Sequence, residues 1–272
     1  MAIEVLSPGI LTSVQDGGRQ GYQQYGVSPS GPMDAHAFRM ANILVGNDPD
    51  EAGLEMTLMG AEHFGKNLRL DDAAFEPIWQ GCAENGLPII IHVADPPCFF
   101  RPTEPDNEHY ICLSQHPEWS FYRDGLFSFE EHMEMQEAVI ANHPDTTFIV
   151  AHVGSYAENL GQVGKWMDKY PNMCIDIAAR LDQLGRQPYS AHDFITKYQD
   201  RVLFGTDYEG HFNDERTRDF YHIHYRFLQT KDEYFEHPFP DMLGQWRIFG
   251  LGLDEEVLRK VYSENAKRIF RL

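Results

Sequence analysis

The sequence has few basic residues and no long apolar run. Lys and Arg number 22 against 42 Asp and Glu, so the formal net charge is -20 at pH 7. An acidic surface repels a nucleic-acid backbone or an anionic membrane, and we expect neither as a partner. No apolar run approaches the roughly 18 residues of a membrane span, and no basic segment followed by an apolar one opens the chain. These absences predict a cytoplasmic location.

Cysteine is also scarce, with four residues in 272 and no two spaced as a Cys-x-x-Cys pair. A chain of this length can bury a sizeable core without disulfides. Its content of 42% hydrophobic and 13% aromatic residues excludes a disordered protein. We therefore predict free thiols in a reducing compartment. The four are Cys82, Cys98, Cys112 and Cys174.

The amino-acid composition and patterning of the chain change near residue 60. The first part is rich in Gly, Ser, Gln and Pro, with turn signals between short apolar runs. These runs predict strands at 3–6, 10–14 and 54–59, and an apolar stripe predicts a helix at 33–45. We therefore predict that residues 1–60 form a small β-rich N-terminal segment.

From residue 71 onward, apolar strands alternate with helices, so residues 61–272 are predicted to form a separate α/β domain. Continuous apolar runs are typical of parallel strands that are buried on both faces. Repeated strand–helix–strand units predict right-handed crossovers. The predicted strands lie at 88–93, 147–153, 173–177 and 202–206, adjacent in that order, and the predicted helices at 71–84, 128–142, 157–169, 191–198, 216–228 and 255–270.

Three of these strands end in a polar residue at the same relative place: His92, His152 and Asp207. The carboxyl ends of parallel strands form the active-site face of β/α folds. Two imidazoles and a carboxylate that meet there could bind a divalent metal and activate its water. A hydrogen-bonded core residue is the alternative for each histidine by itself.

The residues around these positions carry a resemblance that covers about 65–272. The stretches are Pro-Ile-Ile-Ile-His92, Ala-His152-Val-Gly, Phe-Gly-Thr-Asp207 and Ser-Glu-Asn265-Ala. They resemble the amidohydrolase-2 branch of the metal-dependent hydrolases. The resemblance implies an α/β fold in which the four strands correspond to strands 5–8 of an incomplete (β/α)8 barrel, preceded by the small β-rich segment.

The resemblance also implies a function. A metal-dependent hydrolase of this family attacks a C–N or C–O bond of a small molecule with metal-activated water, although some members are decarboxylases. By resemblance, His92 is a metal ligand, His152 is a ligand or a water-orienting group, and Asp207 is a ligand and the general base. The implied cofactor is a divalent metal, zinc or alternatively manganese.

The sequence departs from this family in one important way. The family's barrel opens with a strand that ends His-x-His, and no such strand precedes Gly65. His222-Ile-His224 lies in a predicted helix, where residues two apart point about 200° apart. We therefore expect weak metal binding at best and little hydrolase activity from this chain by itself. A non-catalytic fusion or remnant protein is the alternative.

The N-terminal segment resembles a different family. Stretches at 3–16, 26–34 and 41–47 are similar to the start of the allophanate-hydrolase-subunit-2 family. That family includes one of the 5-oxoprolinase subunits and the biotin-dependent carboxyltransferase part of urea amidolyase. A 5-oxoprolinase-type or carboxyltransferase-type subunit is a third functional alternative. The two partial modules would join near 60–64, as in a fusion.

Arginines and aromatic residues add to the predicted site. Arg180 and Arg186 follow the third strand and would suit a substrate carboxylate; the alternative for each is a structural salt bridge. The aromatic-rich segment 94–127 predicts a packed lid over the site. Four other histidines show no ligand spacing and are predicted to lie at the surface: His109, His116, His132 and His143.

A sheet of four strands leaves an open edge, which folded proteins cover or pair. Residues 54–59 or a second copy of the chain could cover it. A homo-oligomer and a small-molecule substrate are therefore the partners that the sequence predicts.

Overall fold

A computed structural model describes residues 11–15, 48, 53–57, 69–207, 214–240 and 242–271. The chain divides into two compact units, Met1–Leu68 and Arg69–Leu272. The predicted strand at 3–6, the predicted helix at 33–45 and the predicted joint at 60–64 lie outside the described residues.

In the first unit, β1 (Leu11–Gln15) pairs antiparallel with β2 (Gly53–Thr57), and Ser13 lies opposite Glu55. Two of the predicted N-terminal strands are therefore confirmed. β2 belongs to a two-stranded sheet with β1.

The second unit is built on a parallel sheet in the order β3–β4–β5–β6. The four predicted strands are therefore confirmed in their order and direction. In register, Ile91 lies opposite Val150, and Val150 lies opposite Ile175. The strands are β3 (Ile89–Ile91), β4 (Phe148–Val150), β5 (Met173–Asp176) and β6 (Val202–Leu203).

Helices connect these strands near the predicted positions. They are α1 (Glu76–Asn85), α2 (Tyr110–Gln115), α3 (Phe129–Asn142), α4 (Leu160–Lys169), α5 (Leu181–Leu184), α6 (Pro188–Lys197) and α7 (Asp214–Gln229). A two-stranded sheet follows, β7 (Phe235–Glu236) with β8 (Arg247–Ile248), and then α8 (Glu255–Arg259), a π-helical turn (Lys260–Glu264) and α9 (Asn265–Phe270).

Local chemistry sets the ends of the helices. Ser128 begins α3 through a capping box with Glu131, in which each side chain bonds the other residue's backbone N–H. Gly86 ends α1 in a left-handed conformation with φ 61°, and a Cβ there would lie 2.7 Å from the Arg271 guanidinium. These two ends agree with the predicted helices.

The parallel sheet buries both of its faces. One face presents Phe148, Val150 and Ile175 to the main core, which the helices complete. The other face presents Ile149, Cys174 and Leu203 to Ala266, Ile269 and Phe270 near the C-terminus. Ile90 lies opposite Ile149 on the edge strand β3 and is 61% exposed.

The segment 94–127 is packed, as the sequence predicts. It contains 3-10 turns at Pro97–Phe100 and Pro117–Trp119 on either side of α2. Phe99, Cys112 and Leu113 form a small buried cluster there. All four cysteines are free thiols, as predicted. No helix in the described part of the chain is both long and apolar enough to cross a membrane.

Candidate active site at the carboxyl ends of the parallel strands

His92 and His152 lie side by side at the ends of β3 and β4. Their ring centroids are 4.9 Å apart and their planes are nearly perpendicular, at 81°. His92 is exposed, whereas His152 is only 6% exposed. The parallel register of β3 and β4 brings these two predicted site residues together.

Hydrogen bonds fix the orientation of His152. Its Nδ1 lies 2.8 Å from the carbonyl oxygen of Ala178 and donates to it, because a carbonyl can only accept. In the neutral ring, Nε2 then carries the lone pair. Burial, and next the positive charges of Arg180 and His92, lower the pKa of His152 to about 3. His152 is therefore neutral near pH 7 and can accept a hydrogen bond or bind a cation through Nε2.

Asp176 joins the site, although the sequence analysis did not select it. Its Oδ1 accepts hydrogen bonds from the backbone N–H of His152 at 2.9 Å and of Ala178 at 3.0 Å. Burial raises the pKa of Asp176, and the nearby charge of Asp207 adds to the rise. Asp176 is the last residue of β5, so the strand-end rule that selected His92, His152 and Asp207 would also have found it.

The backbone at this edge is strained. His152, Val153, Ala179 and Asp207 have positive φ values of 59°, 58°, 49° and 58°. A left-handed conformation costs about 1–3 kcal/mol per residue outside glycine and concentrates at functional sites. The strained residues follow β4, β5 and β6, where the polar side chains lie.

A cavity of about 390 Å³ opens beside these strand ends. Aromatic walls come from the segment 94–127, including Phe99, Trp119 and Phe121. The remaining wall includes Phe220 and Phe239 from the C-terminal part of the chain. Asp95, Glu118, Arg180 and Asp207 supply charged groups to this mostly apolar space.

Arg180 carries a buried positive charge at this cavity. It is 4% exposed, and its NH1 donates to the carbonyl oxygen of Ala179 at 2.8 Å. Among the residues that the structure describes, no carboxylate forms a salt bridge with Arg180. Because Arg180 lines the cavity, its guanidinium could stabilise an anion bound there.

Two buried carboxyl groups lie within the electrostatic reach of Arg180. Burial raises the pKa of Glu158 to about 7 and that of Asp182 to about 6, and the Arg180 charge opposes both shifts. Glu158 Oε1 and Asp182 Oδ1 have no hydrogen-bond partner in the described part of the chain. The sequence analysis missed both, because neither ends a strand and only folding buries them.

The described residues contain no group of three or more His, Cys, Asp or Glu side chains that could hold one metal ion. We had expected His92, His152 and Asp207 to form one group of three ligands, and the described residues do not contain such a group. The open sheet explains the difference: β5 separates β4 from β6, and neighbouring strands are about 4.8 Å apart. The ends of non-adjacent strands approach one another only when a sheet closes into a barrel.

The surroundings of Arg186 and His109 are not those expected from the sequence. Arg186 donates from NH1 to Glu108 at 2.8 Å, and its guanidinium lies 4.3 Å from the centre of the Trp246 ring. It thus forms the structural salt bridge that was its alternative role. The prediction that His109 lies at the surface is wrong: it is 1% exposed because Phe99 and Trp246 pack against its ring.

The His222-x-His224 pair lies in α7, as predicted. His222 is exposed, whereas His224 is fully buried. The two rings therefore lie in different environments. The predicted helix position of the pair is confirmed, whereas its lack of metal binding stays a prediction.

Comparison with known families finds two matches. The family described as Amidohydrolase matches residues 50–272. The family described as Carboxyltransferase domain, subdomain A and B, matches residues 25–68. Both resemblances that the sequence motifs carry are thereby confirmed.

Curated relatives match only a small part of this chain. Urea amidolyase of Saccharomyces cerevisiae is 57% identical over 60 residues, which are 22% of this chain and 3% of that protein. A 5-oxoprolinase subunit of Escherichia coli is 38% identical over 91 residues, 29% of this chain and 28% of that protein. The chain thus spans less than a third of either relative.

A solved structure of an uncharacterised TIM-barrel protein from Bordetella bronchiseptica also matches. It is 18% identical with a TM-score of 0.41, and the match covers 75% of this chain and 52% of that one.

Proposed function

The chain belongs to the amidohydrolase family, and from this membership we propose that it is a hydrolase-type protein for a small, largely apolar molecule that carries a carboxylate. The observation that carries this proposal is the cavity at the strand ends, in which a buried arginine faces aromatic walls. Decarboxylation of the same kind of substrate is the alternative reaction.

Two charged groups of the cavity, Arg180 and Asp207, receive roles in this proposal. The Arg180 guanidinium binds the substrate carboxylate, since a charge-assisted hydrogen bond is strongest where water is excluded. Phe99, Trp119 and Phe121 surround the apolar part of the substrate. Asp207 accepts a proton from the water that attacks the carbonyl carbon, and that proton then passes to the leaving nitrogen or oxygen as its bond to carbon breaks.

Family membership also implies a divalent metal, zinc or manganese. The described residues provide two adjacent imidazoles, His92 and His152, but no third ligand within reach of the same ion. A catalytic zinc usually has three protein ligands. The residues do not fit such a centre, and we assign no step to a metal. We propose that an added ion binds weakly and that the chain by itself turns over slowly.

A non-catalytic ligand-binding protein is the second candidate. The missing third ligand favours it, because a cavity with Arg180 can bind an anion without any chemistry. The activities of urea amidolyase and 5-oxoprolinase are not assigned to this chain, since the match to these proteins is confined to a short N-terminal stretch. That a second copy covers the edge at β3, where Ile90 is exposed, stays a prediction.

Turnover measurements distinguish these candidates. Full-length protein would be incubated with lactones, amides and carboxylic acids that carry an aromatic or aliphatic group, with added Zn²⁺ or Mn²⁺, beside Asp207→Asn. Slow turnover that this substitution abolishes supports the hydrolase. Binding of the carboxylates without turnover supports the binding protein. Turnover that Asp207→Asn leaves unchanged would contradict the role of Asp207.

A further inference from the structure

A short segment, residues 242–246, separates two cavities. Met242 and Leu243 line the cavity of about 390 Å³ and also a second cavity of about 170 Å³. The segment runs between β7 and β8, and we call it the cavity wall. Cavity space therefore lies beside Met242 and Leu243 on two sides, so the position of this wall sets the boundary between the two cavities.

His237 holds the wall at one carbonyl group. Its ring is fully buried, and its Nε2 donates to the carbonyl oxygen of Gly244 at 2.6 Å. Its Nδ1 accepts a hydrogen bond of 3.3 Å from the backbone N–H of Phe239. These two bonds require the neutral ring. A proton on Nδ1 would face the Phe239 N–H, donor against donor.

His109 holds the wall at the adjacent carbonyl group. Its Nδ1 donates to the carbonyl oxygen of Leu243 at 2.7 Å. Its Nε2 lies 3.5 Å from Nε2 of Gln183, which is an amide donor. The neutral ring fits this arrangement as well. Two buried imidazoles from different parts of the chain therefore bind consecutive carbonyl groups of one wall.

Charged groups around the two rings act in both directions. Arg186 and Arg247 disfavour a cation at His237, and Glu236 favours it. At His109, Glu108 lies 3.9 Å from Nε2 and favours a cation, whereas Arg186 and Arg180 disfavour it. Burial outweighs the carboxylates and lowers the pKa of both histidines.

Trp246 joins the two histidines. Its ring stacks on His237 at 5.7 Å and meets the edge of His109 at 5.6 Å. Its indole N–H donates to the carbonyl oxygen of Asp182 at 3.2 Å. The Arg186 guanidinium already lies over this ring, 4.3 Å from its centre. A second cation beside this ring, on either histidine, would therefore lie close to an existing positive charge.

We propose that residues 242–246 form a pH-sensitive wall of the cavity, closed while His109 and His237 are neutral and opened when either ring gains a proton. The histidines are positioning residues, since they act through Met242 and Leu243. Opening would join the two cavities. Only the description of the larger cavity as a substrate site rests on the proposed function.

The direction of the pH effect follows from linkage. In the closed state both pKa values lie below the ordinary value of about 6.5, so the open state binds more protons. Closure is therefore fully favoured above about pH 6.5 and is lost as the pH falls below it. One proton taken up on opening changes the opening equilibrium by about tenfold per pH unit.

Amide hydrogen exchange on the full chain tests the proposal. Exchange of the Phe239 amide and of residues 242–247 would be followed between pH 5 and 7.5, with correction for intrinsic rates, beside the amides of β4 and β5. We expect the wall to be less protected than the strands at every pH and its protection to fall by up to about tenfold per pH unit below about pH 6.5. Flat protection of the wall, or protection equal to that of the strands at every pH, would overturn the proposal.

Two substitutions separate titration from packing. In His237→Gln the amide group can keep the donor to Gly244, and in His109→Asn the amide group can keep the donor to Leu243. The double variant should lose the pH dependence, whereas His222→Gln, which changes an exposed histidine, should keep it. If the double variant shows the wild-type slope, the assignment is wrong.

If the double variant does not fold, nuclear magnetic resonance of the wild-type chain tests the proposal instead. The imidazole nitrogens of His109 and His237 and the Trp246 indole should shift over the same pH range in which the wall loses protection. Titration of the rings with no change in the indole or the wall would overturn the proposal. None of these measurements needs turnover, so they stand apart from a failure of the proposed hydrolase activity.

Discussion

Asp176 Oδ1 accepts a hydrogen bond of 2.9 Å from the backbone N–H of His152, and this bond ties the end of β4 to the end of β5. The same oxygen accepts from the N–H of Ala178, whose carbonyl oxygen in turn receives a bond from His152 Nδ1. One carboxylate thus holds two neighbouring strand ends. The positive φ values of His152 and Ala179 persist because this network fixes the chain on both sides.

Replacing Asp176 tests this network. Asp176→Ala leaves two backbone N–H groups without their acceptor, and each such loss costs about 1–3 kcal/mol. We expect the free energy of unfolding to fall by about 2–6 kcal/mol, measured by urea denaturation. Asp176→Asn keeps an acceptor oxygen and should lose less. Asp193→Ala, at an exposed side chain, is the control, and an equal loss in that variant would contradict the network.

Arg180 is predicted to anchor the carboxylate of a ligand. Benzoate is a suitable probe, because it combines a carboxylate with an aromatic ring. Arg180→Met should weaken benzoate binding about 10- to 100-fold, since a charge-assisted hydrogen bond contributes about 1.5–3 kcal/mol; Arg180→Lys should weaken it less. Titration calorimetry gives the affinities. Equal affinity in Arg180→Met and in the exposed control Arg101→Met would remove Arg180 from the site.

Glu158 should destabilise the folded chain at high pH. Burial raises its pKa to about 7 from the ordinary 4.5, so the folded state favours the protonated form. The stability that this proton supports is present below about pH 4.5 and is lost as the pH rises through 7. Glu158→Gln should therefore raise the free energy of unfolding by about 2–3 kcal/mol at pH 8 and change it little at pH 4.5.

Denaturation at both pH values measures this difference. The exposed residue Glu255, changed to Gln, is the control and should show no such pH dependence. A Glu158→Gln variant that gains nothing at pH 8 would mean that Glu158 is ionised in the folded chain without cost.

His224 is predicted to limit acid stability. Burial lowers its pKa to about 4, and its Nε2 has no hydrogen-bond partner among the described residues. The unfolded chain binds a proton near pH 6.5, so stability falls as the pH drops from about 6.5 to 4, by about 3 kcal/mol in all. His224→Phe should remove this loss.

The neighbouring His222 provides a matched control on the same helix. His222→Phe should keep the wild-type pH dependence, because that side chain is exposed. Thermal unfolding between pH 4 and 7.5 compares the three proteins. Identical pH profiles for wild type and His224→Phe would show that another group limits acid stability.

Local patterns in the sequence predicted much of the second unit. The run at 88–93 predicted β3, and the start of the helix predicted over 128–142 coincides with the Ser128 cap of α3, because a strand's burial and a helix cap depend on neighbours in the chain. The same patterns placed His92 and His152 at strand ends. Parallel pairing of β3 with β4 then made these residues neighbours.

Distances across the sheet could not be predicted in this way. Asp207 ends a strand as His152 does, but β5 lies between β4 and β6 in an open sheet, and the expected three-ligand group does not form among the described residues. The position of a side chain along a strand is local, whereas closure of a sheet depends on how many strands pack together.

The sequence by itself determined the order of the strands, the caps of the helices and the family, since all three depend on residue type and spacing. Only the tertiary structure decided which polar groups are buried. Arg180, Glu158, His109 and His237 lie in no motif that marks burial, and their charges and tautomers follow from the atoms that folding brings around them. Desolvation and hydrogen bonding depend on atoms that are close in space, whatever their distance along the chain. The charges and tautomers in the cavity and its wall are therefore set by the tertiary structure.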